Sequence, residues 1–335
     1  MTTTEEGFVS RSNTTTDNGN TNDSITIYDK FYATIYDSLF FNEPLIEYEL
    51  EQICKHTGLQ TTIDNSTANN FATKSVTILD VGCSTGHVVA ALDYLLNAPS
   101  YKHSFSKSNS NTNTKTKTKS YIMGVDNSTA MIDVAKDEYP HLATHFFVGD
   151  VLHTDADPLF DRSSFTHILC LYFTVYYFKN QANMQQFFQA VYDWLQPGGY
   201  FVLHLVDPHK FDPILASANP LIYVSPQRYA PRRITNSIVH FNQFKYTADF
   251  EWNPNNNQAQ FIEHFYSNNA SNSDNSNPNN QKQSQQTRKN THVLYMPPIT
   301  QIASWVLATG FQTPPTIIDL VTVQYEYQYL YIFHK

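Results

Sequence analysis

The sequence predicts an α/β protein built on a doubly wound, mostly parallel sheet of seven strands. Residues 76–81 form a short β-branched apolar run, which is typical of a strand buried on both faces. Glycines at positions 82 and 86 follow directly, and apolar residues at helical spacing continue to position 96. Similar apolar runs, separated by helical patterns, recur at 121–126, 145–151, 165–173 and 200–206. This alternation predicts successive βαβ units.

Composition narrows the class of protein before any motif is considered. The formal net charge of −9 over 335 residues argues against a broad phosphate-binding surface, and hence against a nucleic-acid partner. The three cysteines are too widely spaced to indicate a disulfide framework or a zinc site, and we expect no metal. The sequence has neither a signal-peptide core nor an apolar run near the roughly 20 residues of a membrane span. We therefore expect a cytoplasmic protein without a membrane partner. The sequence does not indicate its oligomeric state.

Polar low-complexity segments interrupt the apolar ones and set the expected domain boundaries. Residues 1–23 contain almost nothing to bury and predict a disordered tail. Residues 99–119 and the Asn/Ser/Gln-rich segment 267–290 fall between apolar segments and predict surface loops, the second of them disordered. Residues 24–207 predict the main domain, which begins with an N-terminal helix. Residues 208–266 predict a small antiparallel β insert. Residues 291–335 predict a last helix and a terminal hairpin that complete the main domain.

The turn at residues 80–86 is the clearest indication of a ligand site. Glycines let a backbone approach a ligand closely, and the helix that follows offers free N–H groups. The turn lacks the dinucleotide-binding fingerprint, because Ser84 and His87 stand where that pattern requires glycine. It carries instead an acid, Asp80, two residues before the first glycine. The alternative is a turn that serves sheet geometry alone.

An acidic strand end followed by G-x-G-x-G resembles the first motif of the class I S-adenosylmethionine-dependent methyltransferases. Ser84 replaces the middle glycine of that motif. Leu-Gln-Pro-Gly-Gly at 195–199, before the last apolar run, is a second feature that recurs in this fold. The resemblance covers about residues 76–206 and implies a Rossmann-like methyltransferase fold with S-adenosylmethionine as cofactor. At the first motif it assigns to the cofactor Asp80, Gly82, Cys83, Ser84 and Gly86.

The next two strand ends supply further acids. An acid at Asp126, where the second strand ends, accepts both ribose hydroxyls in this fold; the alternative is a cap for the following helix. Asp126 lies 46 residues after Asp80 against about 20 expected, and the 99–119 insert accounts for the excess. The resemblance assigns Asp150 to the adenine amine. It implies further cofactor contacts from Asn127, Met131, Gly149, Val151 and Leu171.

The methyl group of the cofactor is expected to face the end of the fourth strand. Tyr172 and Tyr176 follow that strand, and His204 lies near the end of the fifth, so all three are candidate catalytic residues. The alternative for His204 is a buried core histidine. Tyr28 and Tyr36 share one face of a predicted N-terminal helix, which the resemblance interprets as a lid that brings tyrosines to the cofactor. The alternative is a helix that only packs aromatic rings.

The leading functional hypothesis is methyl transfer to an N, O or C atom of a small-molecule acceptor. The acidic net charge and an aromatic-rich β insert, the expected substrate cap, favour a small molecule over the alternative RNA or protein substrates. A non-catalytic regulatory subunit that binds the same cofactor is the alternative from another class. Methyl transfer mainly requires alignment, and a general base only when the acceptor is protonated, so the sequence leaves the use of a base open.

Overall fold

The computed structural model describes residues 2–6, 27–59, 75–97, 120–152, 159–218, 227, 230–267 and 285–335. The helices in these ranges are α1 (Lys30–Phe40), α2 (Glu43–Thr57), α3 (His87–Asn97), α4 (Thr129–Glu138), α5 (Gln181–Trp194) and α6 (Ile299–Leu307). The strands are β1 (Thr2–Glu6), β2 (Thr77–Val81), β3 (Tyr121–Asp126), β4 (Phe146–Val148), β5 (Phe165–Cys170), β6 (Leu195–Val206), β7 (Asn236–His240), β8 (Phe244–Asn253), β9 (Gln258–Ser267), β10 (Gln285–Tyr295), β11 (Thr316–Asp319) and β12 (Gln328–His334).

The larger sheet has seven strands in the order β11-β12-β6-β5-β2-β3-β4. Neighbours from β6 to β4 pair in parallel, whereas β12 runs antiparallel to both β6 and β11. The predicted doubly wound, mostly parallel sheet with a terminal antiparallel hairpin is confirmed. The strand order reverses between β2 and β5, so the turns after these two strands open a crevice at the carboxyl edge of the sheet.

Helices cover both faces of this sheet, as its continuous apolar strands require. Aromatic residues of α5, including Phe187 and Phe188, pack with Phe201 of β6 and Trp305 of α6 on one face. On the other face, α2, α3 and α4 bury apolar residues against the strands. Every residue of β5 is buried, and its two polar residues are hydrogen-bonded: the Thr166 hydroxyl donates to the carbonyl of Thr77 at 2.8 Å and lies 2.9 Å from Nδ1 of His167.

A second sheet forms the predicted insert. Strands β7 to β10 pair in antiparallel order, and β1 adds in parallel at the edge of β10. Helix α1 lies between this sheet and the main domain. Its residues Tyr32 and Leu39 pack with Tyr246 and Phe265 of the insert, in a cluster that also contains Met131 of α4.

Parts of two low-complexity segments that were expected to be disordered form strands. Residues Thr2–Glu6 lie within the expected disordered tail, yet they pair with β10, because β-branched threonines suit an edge strand. Residues 285–290, expected in the disordered loop, begin β10 and pair with β9. Buried Asn290 stabilises this pairing through a hydrogen bond to Glu263. The 99–119 loop, residues 7–23 and residues 268–284 lie outside the described residues.

Arg288 of β10 fastens the start of α1 to the insert sheet. Its guanidinium donates to both carboxylate oxygens of Asp29, the N-cap of α1, at 2.9 and 2.8 Å, and to the carbonyl of Ile27 at 2.7 Å. It also lies over the rings of Phe31 and Tyr32, 5.4 and 5.8 Å from their centroids. A single side chain therefore positions the first turn of α1.

Replacing Arg288 by leucine is expected to lower the free energy of unfolding by about 2 kcal/mol, because charge-assisted hydrogen bonds contribute about 1.5–3 kcal/mol. Urea denaturation measures the change, and limited proteolysis is expected to cleave near α1 faster in the variant. Arg232→Leu, at an exposed position, is the matched control and is expected to stay within about 0.5 kcal/mol. Equal stability of the two variants would show that Arg288 does not anchor α1.

Candidate active site

The glycine turn after β2 adopts a conformation that favours glycine. Gly82 has φ +73° and Gly86 has φ +88°. A methyl group on Gly82 would collide with the Thr174 side chain, and one on Gly86 would lie 2.7 Å from the Phe146 ring. The N–H of Gly82 also donates to the carbonyl of Val125 at 2.8 Å, which ties the turn to β3. The positive φ angles and the lack of room for a side chain together fix this turn directly before the N-terminus of α3.

Ser84 occupies the position where the resembled motif has its middle glycine, and it too is left-handed, with φ 52°. A side chain in this region costs about 1–2 kcal/mol relative to glycine. The serine is held by a contact that a glycine lacks, because its hydroxyl donates to the Met131 sulfur at 3.8 Å. The departure from the motif therefore joins the turn to α4.

Asp126 connects the glycine turn with the start of α4. One carboxylate oxygen accepts the N–H of Ser84 at 3.0 Å, and the other accepts the N–H of Ser128 at 2.9 Å. The cap of α4 is Ser128, so Asp126 is not the helix cap that the alternative interpretation required. Burial raises the pKa of Asp126, while these backbone hydrogen bonds oppose the shift. Each oxygen keeps a lone pair for a ligand hydroxyl.

Asp80 is a buried acid, 3% exposed, at the end of β2. Burial and then the negative charges of Asp126 and Glu49 raise the pKa of Asp80 well above its usual range. Within the described part of the chain, no hydrogen bond is found to its carboxylate. A buried acid without a donor fits a cationic ligand group, which would compensate its charge.

The predicted adenine side is assembled around the end of β4. Gly149 donates its N–H to the carbonyl of Asp126 at 2.9 Å, which brings the β4 end to the β3 end. The Asp150 carboxylate accepts the N–H of Leu152 at 2.9 Å, Val151 is buried, and Met131 is 1% exposed on the α4 side. Asn127 is exposed beside Asp126. These residues lie at one edge of the sheet with the glycine turn.

The residues predicted at the methyl edge have different surroundings. Leu171 is buried, and Tyr172 is half-buried with the unusual φ of 54°. Burial and then the Glu49 charge raise the pKa of the Tyr172 hydroxyl well above its usual range. Tyr176 is fully buried, and its hydroxyl accepts the N–H of Val206 at 2.8 Å, which holds the end of β6. Tyr176 thus has a structural contact that accounts for its position.

His204 lies inside the core. Its Nδ1 is 3.1 Å from Oε1 of Glu49, without hydrogen-bond geometry, and its Nε2 is 3.1 Å from Oε1 of Gln328. His204 is 1% exposed and Glu49 is 0% exposed. Both ring nitrogens therefore face protein groups, which is the arrangement of the buried-histidine alternative. The sequence analysis did not identify Glu49, which comes from α2.

Helix α1 is attached to the glycine turn, as a lid requires. Asp37 accepts a hydrogen bond from the Thr85 hydroxyl at 2.6 Å, and its other oxygen lies 3.0 Å from Nε2 of His87. Burial raises the pKa of Tyr36 to about 12, and the Ser84 side chain opposes the shift. Tyr28 precedes α1 rather than sharing a helical face with Tyr36, and its ring centroid is 6.4 Å from that of Tyr36. The structure thus places Tyr36 near Ser84 of the turn, and Tyr28 next to Tyr36.

The structure also contains a buried polar cluster that sequence analysis missed. Glu263 of β9 is 0% exposed. Its Oε1 accepts the hydroxyls of Tyr32 and Tyr246 at 2.7 and 2.6 Å, and its Oε2 contacts Asn290 and His292, both at 2.8 Å. Burial alone raises the pKa of Glu263, but the His292 charge and these hydrogen bonds lower it below the usual range. Glu263 is therefore an ionised buried carboxylate at neutral pH.

One sequence signal for this cluster was available. Residues Phe261, Glu263 and Phe265 alternate along a predicted strand and so share one face. An acid between two inward-facing phenylalanines indicates a buried charge, and a buried charge requires partners. The identity of those partners depends on tertiary contacts that span up to 231 residues, which the pattern does not specify.

Two features are absent from the residues that the structure describes. No helix in those ranges is long and apolar enough to cross a membrane. No group of three or more His, Cys, Asp or Glu side chains there is arranged to hold a metal ion.

Comparison with known proteins identifies the family. The family described as "Methyltransferase domain" matches residues 72–291, more than half of the chain. The chain therefore belongs to this family, and the predicted class I S-adenosylmethionine-dependent superfamily is confirmed. No curated protein matches the sequence.

Solved structures show the same fold. An S-adenosylmethionine-dependent methyltransferase from Clostridium acetobutylicum is 12% identical with TM-score 0.55, over 91% of this chain and 97% of that one. An S-adenosylmethionine-bound amino pentose methyltransferase from Micromonospora echinaspora is 15% identical with TM-score 0.53, over 92% and 98%. A sugar N-methyltransferase from a Streptoalloteichus species is 16% identical with TM-score 0.53, over 98% and 99%.

S-adenosylmethionine, the cofactor of this superfamily, fits the residues present. The carboxylate of Asp80 suits the cationic methionyl end, and the open lone pairs of Asp126 suit the ribose hydroxyls. Asp150 suits the amine of the adenine ring. Gly82 and Gly86 leave room for the Thr174 side chain and the Phe146 ring, and this packing fixes the turn before the N-terminus of α3.

Replacing Asp126 by alanine is expected to weaken S-adenosylmethionine binding about 10- to 150-fold, as expected for losing about 1.5–3 kcal/mol of hydrogen bonds to a charged group. Isothermal titration calorimetry measures the dissociation constant. Asp133→Ala, on the exposed face of α4, removes the same charge nearby and is expected to bind normally. Unchanged affinity in Asp126→Ala would reject the ribose assignment.

Replacing His204 by alanine is expected to lower the free energy of unfolding by about 3–5 kcal/mol, because Glu49 then stays buried without its partner. The double variant Glu49→Leu, His204→Leu is expected to recover much of this loss in a urea titration, since no buried charge remains. If His204→Ala instead kept its stability and lost only turnover, His204 would act as a base rather than as a core residue.

Proposed function

We propose that this protein is an enzyme that transfers a methyl group from S-adenosylmethionine to the nitrogen of a small amine-bearing acceptor, such as an amino sugar. The observation that carries this proposal is the cluster of tyrosines around buried Glu263, between α1, the insert sheet and the 3-10 turn Thr174–Tyr177. Tyrosine faces and a buried carboxylate both attract cationic amines.

The elements around the proposed acceptor site support a small substrate. The Tyr28 ring contacts the rings of Tyr177 and His292, with centroids 6.0 and 5.8 Å apart, so α1, the 3-10 turn and β10 meet there. The formal net charge of −9 disfavours RNA as the acceptor. Two structural relatives with amino-sugar or sugar nitrogen acceptors indicate which compounds to test first.

The chain contributes alignment and charge to this reaction. When bound, S-adenosylmethionine supplies an electrophilic methyl group for in-line displacement. Tyr28 and Tyr36 of the lid region line the approach to the glycine turn and exclude water from it. An amine is protonated at neutral pH and attacks only after it loses that proton, so the site also needs a proton acceptor.

A mass-spectrometric assay tests the proposed function. The full chain is incubated with trideuteromethyl S-adenosylmethionine and a panel of acceptors that pairs each amino sugar with the same sugar carrying a hydroxyl instead. We expect one trideuteromethyl group on the amine and none on the hydroxyl partner. RNA and a basic peptide are included as macromolecular acceptors. Methylation of these, or of the hydroxyl sugars alone, would contradict the proposal.

A further inference from the structure

Four side chains form a continuous hydrogen-bonded chain from the acceptor site to the buried carboxylate. The Tyr28 hydroxyl lies 2.6 Å from that of Tyr177, and the Tyr177 oxygen lies 2.8 Å from Nδ1 of His292. Nε2 of His292 lies 2.8 Å from Oε2 of Glu263. We call Tyr28, Tyr177, His292 and Glu263 the tyrosine relay.

The inner end of the relay is fixed and buried, whereas Tyr28 at its outer end is half-buried. Glu263 is held on its other oxygen by Tyr32 and Tyr246, and His292 is 1% exposed. Burial raises the pKa of Tyr28 well above its usual range, so this hydroxyl remains neutral. When Tyr28 donates to Tyr177, its oxygen keeps lone pairs that accept a proton from a ligand.

The outer end also lies beside the cofactor turn. The Ser128 hydroxyl donates to the carbonyl of Tyr28 at 2.7 Å, and the Ser128 N–H donates to Asp126. Tyr177 ends the 3-10 turn that starts at Thr174, the residue whose side chain packs on Gly82. Both tyrosines of the relay are therefore positioned by groups that contact the glycine turn or its acid.

We propose that the tyrosine relay removes the proton of the acceptor ammonium and stores it on His292, which faces Glu263. This inference rests on the proposed amine acceptor. The acceptor N–H gives its proton to the Tyr28 oxygen and keeps the electron pair of that bond. Tyr28 passes its own proton to Tyr177, and Tyr177 passes its proton to Nδ1 of His292. The acceptor becomes a neutral amine, both tyrosines stay neutral, and the imidazolium is stabilised by the Glu263 carboxylate.

Tyr177→Phe tests the relay, because it removes one hydroxyl from the path and keeps the ring. We expect kcat at pH 7 to fall about 100-fold, within the range for general acid–base catalysis. The KM for the amine and the S-adenosylmethionine dissociation constant are expected to change less than about threefold. Steady-state kinetics and calorimetry provide these values.

Tyr325→Phe is the matched control. It removes a hydroxyl that accepts a hydrogen bond from the Asn42 side chain at 2.9 Å, outside both the relay and the cluster around Glu263. We expect its kcat to stay within about threefold of the wild type. An equal loss of kcat in both variants, or normal kcat in Tyr177→Phe, would overturn the relay.

A measurement without turnover separates the relay from the identity of the acceptor. The relay requires neutral His292 to carry its proton on Nε2 and to accept at Nδ1, a tautomer that nitrogen-15 NMR of labelled histidine determines. We expect this tautomer in the protein alone. A neutral form protonated on Nδ1 would overturn the relay even if amines are methylated. If no amine is methylated but the Nε2 tautomer is found, the proposed acceptor fails while the relay geometry stands.

Discussion

The position of α1 on the insert sheet depends on the buried carboxylate of Glu263. Its four hydrogen-bonding partners come from α1, β8 and β10, so one charge connects the lid helix with three strands of the insert sheet. An ionised carboxylate is costly to bury, and it is tolerated here because every oxygen has two donors. Loss of any one donor would leave charge uncompensated, which couples the position of α1 to the register of the insert.

The lid helix transmits that constraint to the cofactor turn. At one end of α1, Tyr32 donates to Glu263, while further along the helix Asp37 accepts a hydrogen bond from Thr85 of the turn. The insert sheet and the glycine turn are far apart in sequence, but one 11-residue helix contacts both. Movement of α1 would therefore disturb the glycine turn and the Glu263 cluster together.

The sequence predicted the main sheet well because parallel strands leave strong local signals. Continuous apolar runs, the glycine turn and the acid at Asp126 are all features of short segments. It predicted the polar partners less well, because Glu49 with His204 and Glu263 with His292 are pairings between distant segments. The β10 strand was missed at 285–290 because its residues are polar and are held by backbone pairing with β9 rather than by burial of apolar side chains.

The pKa values of two buried acids move in opposite directions. Glu263 has four hydrogen-bonding partners, whereas the Asp80 carboxylate has none among the described residues. The lowered pKa of Glu263 means that it contributes stability above its ordinary pKa, which is lost as pH falls through the lowered value. The pKa of Asp80 is raised, so its neutral form is favoured in the fold, and that contribution is lost as pH rises through the raised value. Hydrogen-bond donors thus stabilise the charged form of Glu263, whereas none among the described residues stabilises that of Asp80. A cation bound beside Asp80 would favour its charged form and lower its pKa, so the pKa of Asp80 is expected to fall when a cationic ligand binds there.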